Sequence, residues 1–282
     1  MTRLPEPLVV NGHRIATDVR GSGPPVVLIH GTPSHSDIWR NVAPVLTAAG
    51  YRVHLFDLLG FGRSERPCDP AVDTSVAAQG EVLCALMEEW ELERAHVVAH
   101  DIGGAIAMRL GVFQPEVVHS LTLIDTVSYD SWPSATWRRI LGDGLEALMR
   151  ADDADHRARM TAQLQMTVAD PANMTGEVLA RYLEPVSGPI GQPSFFCHQA
   201  RHYDSRYTEA ISDRLAELGR LPVQLIWGDS DTWQDPAYGR RLEADIPGAV
   251  LHTIPRAGHF AMEDQPAAVA ERIRAFLDEQ HA

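Results

Sequence analysis

Hydrophobic positions in this chain gather into short, uninterrupted runs separated by longer stretches with helical spacing. Val26-Val27-Leu28-Ile29, Val97-Val98-Ala99 and Leu225-Ile226-Trp227 contain no polar residue. Runs of this kind mark strands buried on both faces, and therefore a mostly parallel sheet covered by helices on each side. The pattern predicts strands at Val26–Ile29, Tyr51–Phe56, Ala95–Ala99, Val118–Asp125, Pro222–Gly228 and Val250–Ile254. Helical spacing falls between them, near Asp37–Ala48, Ser75–Trp90, Ala105–Phe113, Pro236–Ala244 and Pro266–Glu279. Near the start, Leu8–Val10 and His13–Val19 flank Asn11-Gly12, a tight-turn pair, and read as a hairpin. The fold class is α/β.

The alternation stops after Thr126 and resumes at Leu221. Residues 127–220 show helical periods and no strand pattern, and they carry Trp132, Trp137, Tyr182, Phe195, Phe196, Tyr203 and Tyr207. The chain thus divides into a core of 1–126 and 221–282 and a helical cap of 127–220. Its 282 residues suffice for one large domain with such an insertion.

The organising stretch is Ala99-His100-Asp101-Ile102-Gly103-Gly104. An apolar strand runs into small residues, and a helix-forming run follows at once. A strand that turns directly into a helix presents the turn residue at the top of the sheet, the geometry of a nucleophile elbow. The tight turn needs small residues two before and two after the nucleophile, here Ala99 and Gly103. Asp101 stands between them, so the nucleophile is a carboxylate, which displaces at carbon and forms an ester. An acid and a histidine should follow in that order. Asp231, in Gly228-Asp229-Ser230-Asp231, and His259, in Ala257-Gly258-His259, each lie just beyond a strand. Open parallel sheets place their sites there. Asp229 and Asp235 read as turn or cap residues. His13, His35, His119 and His252 read as solvated. His30-Gly31-Thr32-Pro33 follows a strand and can aim the Thr32 N–H at the same point as the Ile102 N–H, which together make an oxyanion hole.

Composition narrows the chemistry. The net charge is −14, which leaves no basic face for nucleic acid. All 24 basic residues are arginine, so lysine Schiff-base chemistry is excluded. Cys68, Cys84 and Cys197 show no CxxC pattern and read as free thiols of a reducing compartment. The N-terminus lacks the apolar core of a signal peptide, and no apolar run approaches the roughly 20 residues that span a bilayer. The expectation is a cytoplasmic protein without a membrane partner, monomeric or homodimeric. Gly60 and Gly62 lie in a loop without Gly-Lys-Ser/Thr and read as backbone turns. The histidines lack ligand spacing, so neither a metal nor a cofactor is expected.

Together HGTP, DLLGFGRS, AHDIGG, WGDSD and AGH resemble the α/β-hydrolase fold over essentially the whole length. Within that superfamily, aspartate at the elbow is similar to the epoxide hydrolases and the haloalkane and fluoroacetate dehalogenases. The resemblance implies Asp101 as nucleophile, Asp231 as orienting acid, His259 as base, and Thr32 and Ile102 as oxyanion donors. Haloalkane dehalogenases hold halide with an indole and an amide where this chain has Ile102 and Thr32. Fluoroacetate dehalogenases place arginines where it has Ile102 and Ala105. Epoxide hydrolases carry His-Gly-x-Pro, as here, and protonate the opening oxygen from cap tyrosines. Tyr203 stands near the late-cap position, with Tyr207 as substitute. Trp132, Trp137, Tyr129 and Trp39 are further candidates for the pocket. The leading expectation is an epoxide hydrolase acting on a medium-sized hydrophobic small molecule. Carbon–halogen hydrolysis, a lyase, isomerase or cyclase on the same fold, and a non-catalytic ligand-binding protein stand as alternatives.

Overall fold

A computed structural model describes residues 7–280. Nine strands form in chain order: β1 (Leu8–Val10), β2 (His13–Ile15), β3 (Thr17–Arg20), β4 (Pro25–Ile29), β5 (Arg52–Phe56), β6 (Ala95–His100), β7 (Val118–Ile124), β8 (Val223–Gly228) and β9 (Val250–Ile254). β1 and β2 make a separate hairpin around Asn11-Gly12, whose positive φ angles of 50° and 82° suit that pair. The other seven form one sheet in the order β3-β5-β4-β6-β7-β8-β9. Only β3 is antiparallel to its neighbour. The expected strand from His13 to Val19 is therefore two. Ala16 breaks it, because its N–H goes to Ser64 Oγ at 2.9 Å rather than to a partner strand.

Among the described residues the α-helices are α1 (Ala43–Ala48), α2 (Val76–Glu89), α3 (Ile102–Phe113), α4 (Ala135–Arg139), α5 (Leu145–Met149), α6 (Asp153–Gln165), α7 (Gly176–Leu183), α8 (Gly188–Ser194), α9 (Arg206–Glu209), α10 (Pro236–Asp245), α11 (Ala261–Asp264) and α12 (Pro266–Glu279). The helix expected over Asp37–Ala48 is instead a 3₁₀ turn, Ser36–Trp39, followed by α1. Pro44 lies in the first turn of α1 and has no N–H to continue an earlier helix. Among the described residues, 127–220 hold helices and turns only. No helix among them is long and apolar enough to cross a membrane.

Side-chain alternation along the strands builds two cores, one on each face of the sheet. Val27, Ile29, Val97, Ala99, Leu123 and Leu225 join the cluster containing Leu83, Leu86, Ile106 and Leu110 of α2 and α3. Their neighbours Val26, Leu28, Val98, Ile124 and Ile226 join the opposite cluster, with Leu46 of α1 and Ile273 and Leu277 of α12. This two-sided burial is why the strands read as unbroken apolar runs.

Strand order also fixes where a ligand can enter. After β4 the chain steps outward to β5, then returns to β6 on the other side of β4. The connections leave β4 and β6 in opposite directions, and a crevice opens between their carboxyl ends. Thr32 lies just past β4 and Asp101 just past β6, so the topology brings both residues to that crevice.

Candidate active site

Asp101 occupies a strained backbone position, φ 54° and ψ −122°. A non-glycine residue there costs on the order of 1–3 kcal/mol, so neighbours must hold it. Its N–H donates to Ile124 O at 3.2 Å, and its carbonyl accepts from Gly104 N at 3.0 Å and Thr126 Oγ at 3.1 Å. Close packing requires the flanking glycines. A Cβ at Gly103 would lie 2.6 Å from His30 O, and one at Gly104 would lie 1.8 Å from Thr126 Oγ. The turn is thus locked between β4 and the segment after β7.

The carboxylate of Asp101 is engaged at both oxygens. Oδ1 accepts the Thr32 N–H at 2.7 Å, while Oδ2 stands 3.5 Å from His259 Nε2. His259 Nδ1 meets Asp231 Oδ2 at 2.9 Å, and Asp231 Oδ1 accepts the N–H groups of Trp233 and Gln234 at 2.7 and 2.9 Å. Asp101, Asp231 and His259 are brought together as the spacing predicts, and the Asp231 pairing excludes Asp229. That residue caps the neighbouring loop through Arg256 N. Ile102, the first residue of α3, is 94% buried beside Asp101. Its N–H belongs to the helix's first turn, where no intrahelical carbonyl can reach it.

Electrostatics give each group a distinct charge state. Burial disfavours the His259 imidazolium, but Asp231 and Asp101 on either side raise it well above its ordinary value. Burial likewise opposes the Asp101 charge. The hydrogen bond and charge of His259, with the Thr32 N–H, still hold the carboxyl below its usual range. Flanking carboxyl groups on both sides thus favour the imidazolium form of His259.

Two further histidines brace it. His100 is driven down to about 3 by burial and by the His259 charge. Its Nε2–H donates to the His259 carbonyl at 2.9 Å. His30, lowered to about 4 mainly by burial, donates from Nδ1 to Gly31 O at 2.8 Å and accepts the Leu58 N–H at Nε2 at 2.9 Å. Both act as neutral struts. His35, expected to be solvated, is buried. Its Nε2–H donates to Arg181 O in α7, and Nδ1 accepts from Asp37 N. The ring clamps α7 to the loop after β4, a contact invisible until both are folded.

Of the aromatic candidates, Tyr203 reaches the site. Its hydroxyl lies 2.6 Å from Thr32 Oγ. Burial, with the charge of Asp101, keeps the phenol protonated well above its ordinary range. Trp137 packs edge-on against Tyr203 with centroids 5.3 Å apart. Trp132 stands behind the same ring at 6.4 Å, its indole N–H taken by Thr208 Oγ at 2.9 Å. Tyr207 does not reach the site, which corrects the expectation for it. Its hydroxyl accepts from Arg206 at the exposed side, and its ring lies near the Arg109 guanidinium. Tyr129 is likewise diverted, donating to Asp245 under the Arg241 guanidinium. Trp39 has no exposed surface and belongs to the core cluster on the α1 and α12 side. Packing, not pocket lining, accounts for it.

Sequence reading missed Gln199. Its Oε1 lies 3.5 Å from Thr32 Oγ, and its Nε2 donates to Gly60 O at 3.3 Å. It stands four residues before Tyr203, a helical spacing that could have flagged it. Gly60 and Gly62 do serve as turns, with φ of 85° and 48°. The three cysteines are free.

Residues 24–266 match the family described as alpha/beta hydrolase fold, and the chain belongs to that family. An alpha/beta hydrolase fold protein from Burkholderia ambifaria is 33% identical, with a TM-score of 0.87, over 97% of this chain and 98% of that one. A 2-hydroxy-6-oxononadienedioate/2-hydroxy-6-oxononatrienedioate hydrolase of Cupriavidus pinatubonensis is 28% identical over 89% of this chain and 86% of its own length. A cis-3-alkyl-4-alkyloxetan-2-one decarboxylase of Shewanella oneidensis is 24% identical over 95% and 86%. The protein is a hydrolase of this fold.

Proposed function

We propose that this hydrolase opens an epoxide through a covalent ester on Asp101, with residues 127–220 acting as the cap over the site. The observation that carries the reading is the division of labour at Asp101. One carboxylate oxygen sits on a backbone donor, the other faces His259, and a protonated phenol stands 2.6 Å from Thr32 beside them.

In the first step Asp101 Oδ2 attacks a ring carbon and the C–O bond of the epoxide breaks. The released oxygen takes the Tyr203 proton. Oδ1 stays on the Thr32 N–H and becomes the ester carbonyl oxygen. Ester formation removes the charge of Asp101, one of the two carboxylates that hold His259 protonated. The imidazole then gives its proton to the Tyr203 phenolate by way of site water and becomes a base. In the second step His259 takes a proton from water, and the hydroxide attacks the ester carbon. The Thr32 and Ile102 N–H groups receive the developing charge on Oδ1. The ester C–O bond breaks, the departing oxygen takes the remaining proton of the added hydroxide so that a diol leaves, and His259 keeps the proton it took from water, which restores the starting charges. Asp231 keeps the imidazole oriented throughout.

Thr32 and Ile102 stand where the haloalkane dehalogenases hold halide with an amide and an indole. The Shewanella relative supports a second reading, attack on a strained oxetanone ring, because its named substrate, like an epoxide, is a small strained ring that contains oxygen.

The deciding experiment uses His259→Gln. Without the base, attack proceeds and ester hydrolysis stalls, so intact mass after incubation with a panel of epoxides and haloalkanes should rise by one whole epoxide, mapped to Asp101. A gain of the alkyl group with halide release would move the assignment to a dehalogenase. No adduct from a compound that the unaltered protein turns over would overturn covalent catalysis. Tyr203→Phe should slow adduct formation by about 10²- to 10⁴-fold, the usual scale of a lost general acid. Hydrolysis of a preformed ester should be much less affected, and equal slowing of both steps would argue against the proton-donor role.

A further inference from the structure

Behind the triad lies a third carboxyl group that the reaction above does not use. Asp125 follows β7 directly and is completely buried. It sits at a positive φ of 43°, a left-handed backbone that few residues other than glycine adopt and that aspartate tolerates better than most. Its Oδ1 accepts the Gly228 N–H at 2.8 Å, and its own N–H donates to Ile226 O at 3.0 Å, fixing it between β7 and β8. Its Oδ2 is buried without a hydrogen-bond partner, and Gly228, whose N–H it holds through Oδ1, also accepts the Asp231 N–H at 3.3 Å, which makes the Asp231 carboxyl its charged neighbour. Asp231 accepts from Trp233 N and Gln234 N at Oδ1 and from His259 Nδ1 at Oδ2, which leaves room at Oδ2 for one more donor. Two buried carboxylates cannot face each other without a proton between them. Asp231 is the one paired with an imidazolium, so the proton belongs to Asp125.

The geometry points to Asp125 as a neutral carboxylic acid whose Oδ2–H donates to Asp231, making it a positioning residue for the acid behind His259. It rests on the reading of Asp231 and His259 as a working pair. Desolvation, and then the Asp231 charge, push the Asp125 carboxyl well above its usual range, in agreement. The charged groups facing it are Asp231 and His259. The arrangement leaves a single net negative charge on the two carboxyls. It also ties Asp231 to the sheet through Gly228, so the acid cannot rotate away from His259 when that ring loses its proton. No bond beyond the shared proton is made or broken.

The test needs no substrate. Protein carrying ¹³C-carboxyl aspartate should show one carboxyl carbon that remains protonated at pH 7 and vanishes in Asp125→Asn. The His259 Nδ1 proton resonance should be retained in Asp125→Asn, whose amide can donate to Asp231 and accept from Gly228. It should be shifted or lost in Asp125→Ala. Stability supplies a second readout. A folded-state proton affinity raised above the unfolded value means that stability is fully present below about pH 3.9 and is lost as pH rises. The asparagine variant carries no such proton, so its melting temperature should gain on the unaltered protein from pH 4 to pH 8. A merely structural role would give a pH-independent difference. With a turned-over substrate, Asp125→Ala should slow ester hydrolysis up to about 100-fold, and asparagine should restore it. No protonated aspartate at pH 7, or one that survives in Asp125→Asn, overturns the proposal. So does a His259 resonance indifferent to alanine. None of these resonances depends on the ester mechanism, so failure of that mechanism leaves a separate signature, an adduct-free His259→Gln protein.

Discussion

Asp101→Ala is expected to lose turnover on the order of 10⁶-fold, the scale of removing a nucleophile from a triad enzyme. The loss should exceed that of any other single substitution, because no neighbouring group can substitute. Asp231 is held by three donors and does not face the crevice, and His100 is neutral and spent on the His259 carbonyl. The backbone should tolerate the change, since alanine removes only the carboxyl and a strained φ remains anchored by Ile124, Gly104 and Thr126. Two measurements check it: turnover by the purified variant and intact mass after incubation with the same epoxide. The expected pair of results is no product and no adduct, with an unchanged circular dichroism spectrum. Activity within tenfold of the unaltered protein would remove Asp101 from the chemistry.

Gly31→Ala should cost at least about 100-fold in activity while leaving the fold assembled. Gly31 does not have a positive φ, so alanine meets no backbone objection there. The objection is the nucleophile itself. An added Cβ would lie 2.4 Å from Asp101 Cβ and 2.6 Å from Oδ1, the oxygen seated on the Thr32 N–H. Either the carboxylate leaves that donor or the loop carries Thr32 away from it. A displacement near 1 Å at a reacting group costs roughly 10²-fold. The Thr32 contact also stabilises the charged form of Asp101, so the variant's nucleophile should titrate higher. Adduct formation in the His259→Gln, Gly31→Ala double variant, followed by mass against time, reads this directly. Trapping at the single variant's rate would mean that the loop absorbs the methyl group without disturbing Asp101.

These expectations separate what lies close in the sequence from what does not. The elbow was legible because a strand, a tight turn and a helix are local events: Ala99, Asp101 and Gly103 carry the turn chemistry within five residues. The order of Asp101, Asp231 and His259 was legible because each follows a buried strand, and unbroken apolar runs announce such strands. The β2–β3 break at Ala16 and the 3₁₀ turn before α1 were not, because each depends on one hydrogen bond or one proline rather than on periodicity.

The sequence by itself determined the sheet, the elbow and the carboxylate at its tip, since those follow from burial on two faces and from short-range sterics. Only the tertiary structure decided which aromatic side chain meets Thr32. Helical periodicity in 127–220 tells which residues share a face but not where that face docks, so Tyr207 stood as a substitute for Tyr203 until those segments were packed. Tyr203 lies 171 positions from Thr32 and Gln199 lies 167 away. For the same reason His35 looked solvated and Asp125 looked like the end of a strand. Their roles come from partners that only folding supplies: α7 for the histidine, and Asp231 with Gly228 for the aspartate.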